Sequence, residues 1–220
     1  MYQSKLHYET VTPLLRQTLK TLMSEELFSP FILVGGTNLS LRYGHRKSDD
    51  IDLFTDAAYG SLDFNLFEQF LRNTFNFYDC GDPTSIVGFG RGYYIGDSAD
   101  NVVKLDLMYT DPFIEPAETI DGIRLANEKD IIAMKMNVVS RGGRKKDFWD
   151  LHMLLNKYTL TEMIEIHSRR HPWEHDYNEL LNRLTDFTIA NSEFNPRCLL
   201  GKNWDDIKLY LVEIVESIHS

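Results

Sequence analysis

The stretch Phe31 to Phe54, FILVGGTNLSLRYGHRKSDDIDLF, holds residue types that chemistry needs. Asp50 and Asp52 stand one residue apart. Side chains alternate along a strand, so both carboxylates share one face while Ile51 and Leu53 turn to a core. Two strand residues advance about 6.6 Å. From that spacing both groups can converge on divalent cations set roughly 3.5–4 Å apart. Without a cation such a pair repels; Mg²⁺ (or Mn²⁺) turns that cost into attraction, because hard oxygen donors suit it. A third carboxylate stands in Val103-Lys104-Leu105-Asp106-Leu107-Met108, where Asp106 points opposite to Leu105 and Leu107. An Asp in an apolar strand is costly unless paired or metal-bound. Each acid also has a plainer reading, as a solvated strand face or an exposed Asp beside Lys104. Gly35-Gly36-Thr37 precedes a helix; glycines let a phosphate approach the backbone, and a helix N-terminus favours anions. An ordinary strand–helix turn would look the same.

Later in the chain, Lys135 stands among Ile131, Ile132, Met134, Met136, Val138 and Val139. A buried Lys needs an anionic partner, unless it snorkels to water. Asp147, opening the next helix, suits the positive end of the dipole; Asp150 reads as a supporting ion-pair partner. Two segments are locally basic: Arg42, Arg46 and Lys47 with His45 among them, and Arg141, Arg144, Lys145 and Lys146. Flanking one cleft, they could hold a triphosphate and an RNA backbone; as solvated loops they would do neither. His167, His171 and His175 follow helical spacing, but Pro172 interrupts them and they read as a polar helix end. Gly88 to Gly92 reads as a bulge or tight hairpin. Trp149, Trp173 and Trp204 read as packing anchors, and the Met residues near Lys135 as core filling.

These side chains need elements to position them. Apolar spacing predicts a helix from Leu6 to Leu27. Phe31–Val34 and Asp50–Phe54 read as strands, with Thr37 capping a short helix that ends at Gly44. A helix over Leu62–Asn73 and strands at Thr84–Val87, Gly92–Ile95 and Val102–Tyr109 follow. Asp121-Gly122 between Glu118–Ile120 and Ile123–Leu125 is a hairpin signal. Helices are then predicted over Ile131–Ser140 (entered through Asn127 and Asp130), Lys146–Tyr158, Thr161–Arg169, Asp176–Ala190 and Asn203–Ser217. The division expected is a mixed α/β domain at 1–126 and a helical domain at 127–220.

The 220 residues include 43% hydrophobic and 25% charged, which excludes a disordered or fibrous chain. Acids outnumber bases 33 to 23, a net charge of −10. A general nucleic-acid coat or polybasic membrane binder is disfavoured. No apolar run approaches the roughly twenty residues of a spanning helix, and the N-terminal segment lacks the apolar core of a secretory signal. Cys80 and Cys198 form no CxxC motif, which argues against a disulfide scaffold or thiolate zinc site and for buried thiols in a reducing cytoplasm.

The pattern GGTxLxLxxGHRxSxDIDLF resembles the AbiEii/MenT-type toxin nucleotidyltransferases of bacteria, within the DNA polymerase β-like nucleotidyltransferase superfamily. The run RGGRKKDFWDLHMLL after Lys135 resembles that family's later signature. The resemblance implies an α+β fold: a polymerase β-like mixed sheet with helices, followed by a C-terminal helical bundle, with the active site between them. It implies transfer of a nucleoside monophosphate from an NTP to an acceptor hydroxyl, with Mg²⁺ or Mn²⁺. Asp50, Asp52 and Asp106 match the metal-binding acids, with Asp106 also helping to deprotonate the acceptor. Gly35, Gly36 and Thr37 match the phosphate-holding turn, Thr37 replacing a Ser. Ser48 matches a Ser that contacts or accepts phosphate. Lys135 is assigned to the triphosphate, with Asp147 orienting it or the nucleotide. The implied role is the toxin of a toxin–antitoxin or abortive-infection system in the cytoplasm. Its acceptor would be the tRNA 3′ end, its partner an antitoxin protein or an antitoxin encoded nearby. Two alternatives use the same residues: a small-molecule nucleotidyltransferase of aminoglycoside-modifying type, and a non-catalytic nucleotide-binding module.

Overall fold

Proline lacks an N–H and is tolerated at the first turn of a helix, not within it. In the computed structural model, which describes residues 5–81 and 88–218, Pro13 accordingly opens α1 (Pro13–Ser24), and the Thr12 hydroxyl accepts from the Leu15 N–H at 3.1 Å. The helix expected from Leu6 is therefore shorter, preceded by a 3₁₀ turn at Tyr8–Thr10.

The chain divides into two compact units. One combines the N-terminal part up to Tyr43 with Ser48–Ala126; the other combines Gly44–Lys47 with the chain from Asn127 onwards. Gly44–Lys47, expected with the first domain, thus counts with the second.

In the first unit the strands are β1 (Ile32–Leu33), β2 (Asp50–Thr55), β3 (Phe77–Asp79), β4 (Gly90–Ser98), β5 (Asn101–Tyr109), β6 (Glu118–Ile120) and β7 (Ile123–Leu125). Among the described residues they form one mixed sheet ordered β3-β4-β5-β2-β1-β7-β6. β2 runs parallel to β5 and antiparallel to β1. The expected alternation holds: Ile51, Leu53, Leu105 and Leu107 are buried in one core with Leu15, Leu19 and Leu22 of α1. At about 1.5–3 kcal/mol for each fully buried side chain, this apolar face sets the register and leaves the opposite face to the carboxylates. The helices of this unit are α1, α2 (Gly35–Tyr43) and α3 (Phe64–Thr74). Asp121 and Gly122 take φ of 52° and 79° between the paired Ile120 and Ile123, as a two-residue hairpin turn requires. The strand expected at Thr84–Val87 lies outside the described residues. Gly90 to Gly92 sit within β4; its register irregularity falls between Gly96 and Ser98.

The second unit is helical: α4 (Glu128–Ser140), α5 (Lys145–Leu154), α6 (Leu160–Arg170), α7 (Tyr177–Leu184), α8 (Thr188–Asn191) and α9 (Trp204–Ile218). Asn127 caps α4 by accepting from the Lys129 N–H at 3.0 Å. The single helix expected over Asp176–Ala190 is two, because the Asp186 carboxylate accepts from the Thr188 N–H at 3.1 Å and restarts the chain there. Trp149 and Trp204 pack as expected, stacked with ring centroids 6.3 Å apart. Trp173 does not: it is 98% exposed, thrown outward beyond Pro172, where α6 has already ended. Cys80 and Cys198 are free, as expected, but only partly buried.

Candidate active site

The parallel pairing of β2 with β5 matches Asp50 to Lys104 and Asp52 to Asp106. By alternation these four side chains share the sheet face opposite the core. Asp50, Asp52, Lys104 and Asp106 are each half-buried; Asp52, Lys104 and Asp106 stand between buried neighbours, and Asp50 between the exposed Asp49 and the buried Ile51. Lys104 Nζ lies 2.5 Å from Asp106 Oδ2. Burial pulls the Lys104 ammonium down, but the Asp106 hydrogen bond and the charges of Asp106, Asp50 and Asp52 outweigh it and hold its pKa above the usual lysine value. One ammonium therefore feels all three carboxylates.

The corner after β1 brings glycine against this face. Gly35 takes φ +69°, and a Cβ there would collide with Oδ2 of Asp52. Gly92 on β4 is paired with Asp106, and a Cβ on it would stand 2.7 Å from Asp106 Oδ1. Both carboxylates thus sit in places that only glycine leaves open. Thr37 was expected to cap α2; instead the helix begins at Gly35, and the Thr37 hydroxyl donates to the Asp50 carbonyl. The Thr37 and Ser48 hydroxyls lie 2.8 Å apart and are buried. Both tie the start of α2 to the start of β2. Asn38 fixes the same corner by donating to the carbonyls of Leu33 at 2.8 Å and Ala126 at 3.1 Å.

Among the described residues no set of three or more carboxylate, imidazole or thiol groups is closed tightly enough to hold a metal ion. The donor chemistry still fits a hard divalent cation: the groups are carboxylates, they share one face, and a cationic group already lies against Asp106.

The second unit holds a buried charge network. Lys135 on α4 reaches Asp147 Oδ1 at 2.6 Å and Asp150 Oδ2 at 2.8 Å, both on α5. Asp150 also receives the Arg46 guanidinium on both oxygens, at 2.6 and 2.7 Å, and His45 Nε2 lies 2.8 Å from Oδ1. Asp150 is fully buried. Burial pushes its carboxyl up, but Arg46, then Lys135, then the hydrogen bonds hold it well below the usual carboxylate range. Burial likewise pushes Lys135 down, and Asp150 and Asp147 raise it further than that. The same competition leaves Asp147 below its ordinary value, with Lys135 prevailing over burial. Lys135 is therefore held as a cation. Asp147 also accepts the Arg144 N–H at 3.1 Å, capping α5.

Sequence reasoning treated Asp150 as a minor partner, and it is the hub. Its place three residues after Asp147 gives no sign of the link to Arg46 across 104 positions, which no local pattern encodes. Lys104 was noted only as a neighbour of Asp106; their two-residue separation, the period of a strand face, was the available signal.

The basic segments are mostly committed. Arg42 donates to Asn38, Glu118 and the Ala126 carbonyl. Lys145 is buried against Glu193 and Asn195, and Arg141 pairs with Glu174. Arg144 stays largely exposed. The three histidines come together: His167 Nδ1 lies 2.8 Å from His175 Nδ1, and the ring centroids of His167 and His171 are 5.4 Å apart.

The family model described as "Nucleotidyl transferase AbiEii toxin, Type IV TA system" matches residues 17–208. An uncharacterized protein of Aquifex aeolicus, aq_aa25, is 29% identical over 212 residues, covering 91% of this chain and 90% of its own. Among solved structures, a Helicobacter pylori protein proposed to be a nucleotidyltransferase superposes with TM-score 0.56 at 22% identity, covering 93% of this chain and 91% of that one. MenT4, a nucleotidyltransferase toxin of Mycobacterium tuberculosis H37Rv, superposes with TM-score 0.50 at 11% identity, over 90% of this chain and 79% of that one. At these identities the structural likenesses speak for the α+β fold.

Proposed function

Because the chain belongs to the AbiEii nucleotidyl transferase toxin family of type IV toxin–antitoxin systems, we propose that it moves a nucleoside monophosphate from an NTP to an acceptor hydroxyl, with the tRNA 3′ end as acceptor. The observation that carries the site assignment is the pairing of Asp52 with Asp106, with Asp50 on the same face, beside the Gly35 corner. In this reading Asp50, Asp52 and Asp106 hold Mg²⁺ or Mn²⁺. Such a cation supplies charge neutralisation at the phosphates and lowers the pKa of a bound hydroxyl.

The chain's own groups do the rest. Gly35 and Gly36 let phosphate oxygens approach main-chain N–H groups at the start of α2. Thr37 and Ser48 fix the strand that carries Asp50, and Asp106 accepts the proton of the attacking hydroxyl. Lys135, held as a cation by Asp147 and Asp150, is the residue the family resemblance assigns to offsetting charge on the triphosphate. Asp147 and Asp150 act as positioning residues that keep that ammonium charged and fixed; Arg46 and His45 hold Asp150 in place and serve the nucleotide through it. No helix among the described residues is long and apolar enough to cross a membrane, and the proposed substrates, NTP and tRNA, belong to the cytoplasm. An antitoxin, as a protein or encoded nearby, would counter the activity.

Incubation of the purified protein with α-³²P-labelled NTPs, Mg²⁺ and total tRNA tests this. Labelled tRNA is expected from the wild type, with a loss of at least about a hundredfold in Asp52→Asn, the scale of losing one principal electrostatic contact. Label on an aminoglycoside instead of tRNA, or equal labelling by the variant, overturns the assignment. Growth arrest on expression, abolished by the same substitution, tests the toxin role.

A further inference from the structure

Lys104 stands at one corner of a rectangle whose other corners are acidic. On β2 and β5, Asp50 faces Lys104 and Asp52 faces Asp106. Paired strands lie about 4.8 Å apart, and same-face neighbours along a strand about 6.6 Å. Three carboxylates at that spacing repel one another in the absence of a cation. The ammonium of Lys104, 2.5 Å from Asp106 Oδ2, places a positive charge on this face. Its side chain is 40% exposed and Asp106 17%, so the pair lies where solvent and ligands can reach it and where a flexible four-carbon stem can swing away.

We propose that Lys104 is a built-in counter-cation that occupies Asp106 before a metal does. It lowers the affinity of the carboxylates for a free divalent cation and makes loading depend on the nucleotide. An incoming metal competes with the ammonium for the Asp106 oxygen and is repelled by its charge. An NTP changes that balance. Its phosphates draw the metal onto the face and offer Lys104 a second anionic partner, so displacing the ammonium from Asp106 costs less. The protein would then bind metal weakly alone and tightly with substrate, in positive coupling through one side chain.

The inference rests on the reading of Asp50, Asp52 and Asp106 as a cation site, and the experiment separates the two. Mn²⁺ is titrated into nucleotide-free wild type, Lys104→Met and Asp52→Asn, with free Mn²⁺ followed by electron paramagnetic resonance. Removing the ammonium is expected to tighten Mn²⁺ binding about tenfold, the scale of one charge–charge contact near a protein surface. Addition of a non-hydrolysable NTP should then increase Mn²⁺ affinity less in Lys104→Met than in wild type. If Lys104 serves only to hold Asp106 in place, Lys104→Met binds Mn²⁺ equally or more weakly, and the proposal is overturned while wild-type binding lost in Asp52→Asn keeps the cation site. If wild type, Lys104→Met and Asp52→Asn bind Mn²⁺ alike, the cation site and the proposal fall together. Lys104→Arg, which keeps the charge, should leave nucleotide-free affinity within about twofold of wild type; tightening as large as that of Lys104→Met would also overturn it.

Discussion

The Gly35 position shows how one residue's lack of a side chain can matter to a site. Its φ of +69° is a conformation L side chains rarely adopt, and a Cβ there would meet the Asp52 carboxylate. Gly35→Ala should therefore do two things at once. Backbone strain alone costs about 1–2 kcal/mol, which for a chain of this size lowers the melting temperature by roughly 2–4 °C per kcal/mol. The displaced Asp52 carboxylate should lower activity at least about tenfold beyond what lost folded protein explains. Thermal unfolding and nucleotide transfer, measured on the same preparation at a temperature where the variant is folded, separate the two effects. Gly60 supplies the control: its φ is +76°, but a Cβ there meets nothing within 4 Å. Gly60→Ala should carry the backbone cost without the loss of activity. If both variants transfer nucleotides at the wild-type rate, crowding at Asp52 has no part in catalysis.

At the scale of elements, α4 and α5 are joined by Lys135 lying between Asp147 and Asp150, and Gly44–Lys47 is drawn to α5 by the same Asp150. Breaking a buried pair from one side leaves the other charge uncompensated and costs about 3–5 kcal/mol. Asp150→Ala removes the carboxylate that both nitrogens of Arg46 bond and one of the two carboxylates on Lys135, so a fall in melting temperature of roughly 10 °C is expected. Asp147→Ala, which leaves Asp150 on Lys135, should cost less; the reverse ranking by thermal denaturation would refute the hub assignment. This network also marks how far a sequence can be read. The period-2 alternation around Asp50, Asp52 and Asp106 was legible because the pleat is local, and so were Asn127 and the Asp121-Gly122 turn. The pairing of β2 with β5 was not, since two strands and a helix intervene, and the Arg46–Asp150 contact spans 104 residues. Trp173 was misread for a related reason: apolar character predicts burial only where an element continues to carry it inward, and α6 stops at Arg170. The helix that periodicity alone would have continued stops at Leu184, and the Asp186 carboxylate accepts from the Thr188 N–H where the chain turns helical again.

For the whole molecule, the excess of acids gives a net charge of −10. Any tRNA contact must then come from local basic groups and be salt-sensitive. Acidity also bears on stability, and here a buried histidine, His167, responds as pH falls. Burial, then the charges of His171 and His175, lowers the His167 pKa to about 4, with Arg141 adding to the effect and Glu174 opposing it. A histidine with a depressed folded pKa is neutral in the native state while the unfolded chain protonates near 6.5. The unfolded state thus binds more protons between those values. Stability is full above pH 6.5 and declines as pH falls towards 4. The carboxylates of Asp147 and Asp150 act later, because their folded pKa values lie below the ordinary value and their contribution is lost only as pH falls from about 4 downward. From pH 7 to pH 5 the His167 contribution amounts to on the order of 2 kcal/mol. Urea unfolding at the two pH values should show a wild-type loss of that size. Met is close to His in length and does not titrate, so His167→Met, even if less stable overall, should lose markedly less between pH 7 and pH 5. An equal loss in the variant would assign the acid sensitivity to other groups.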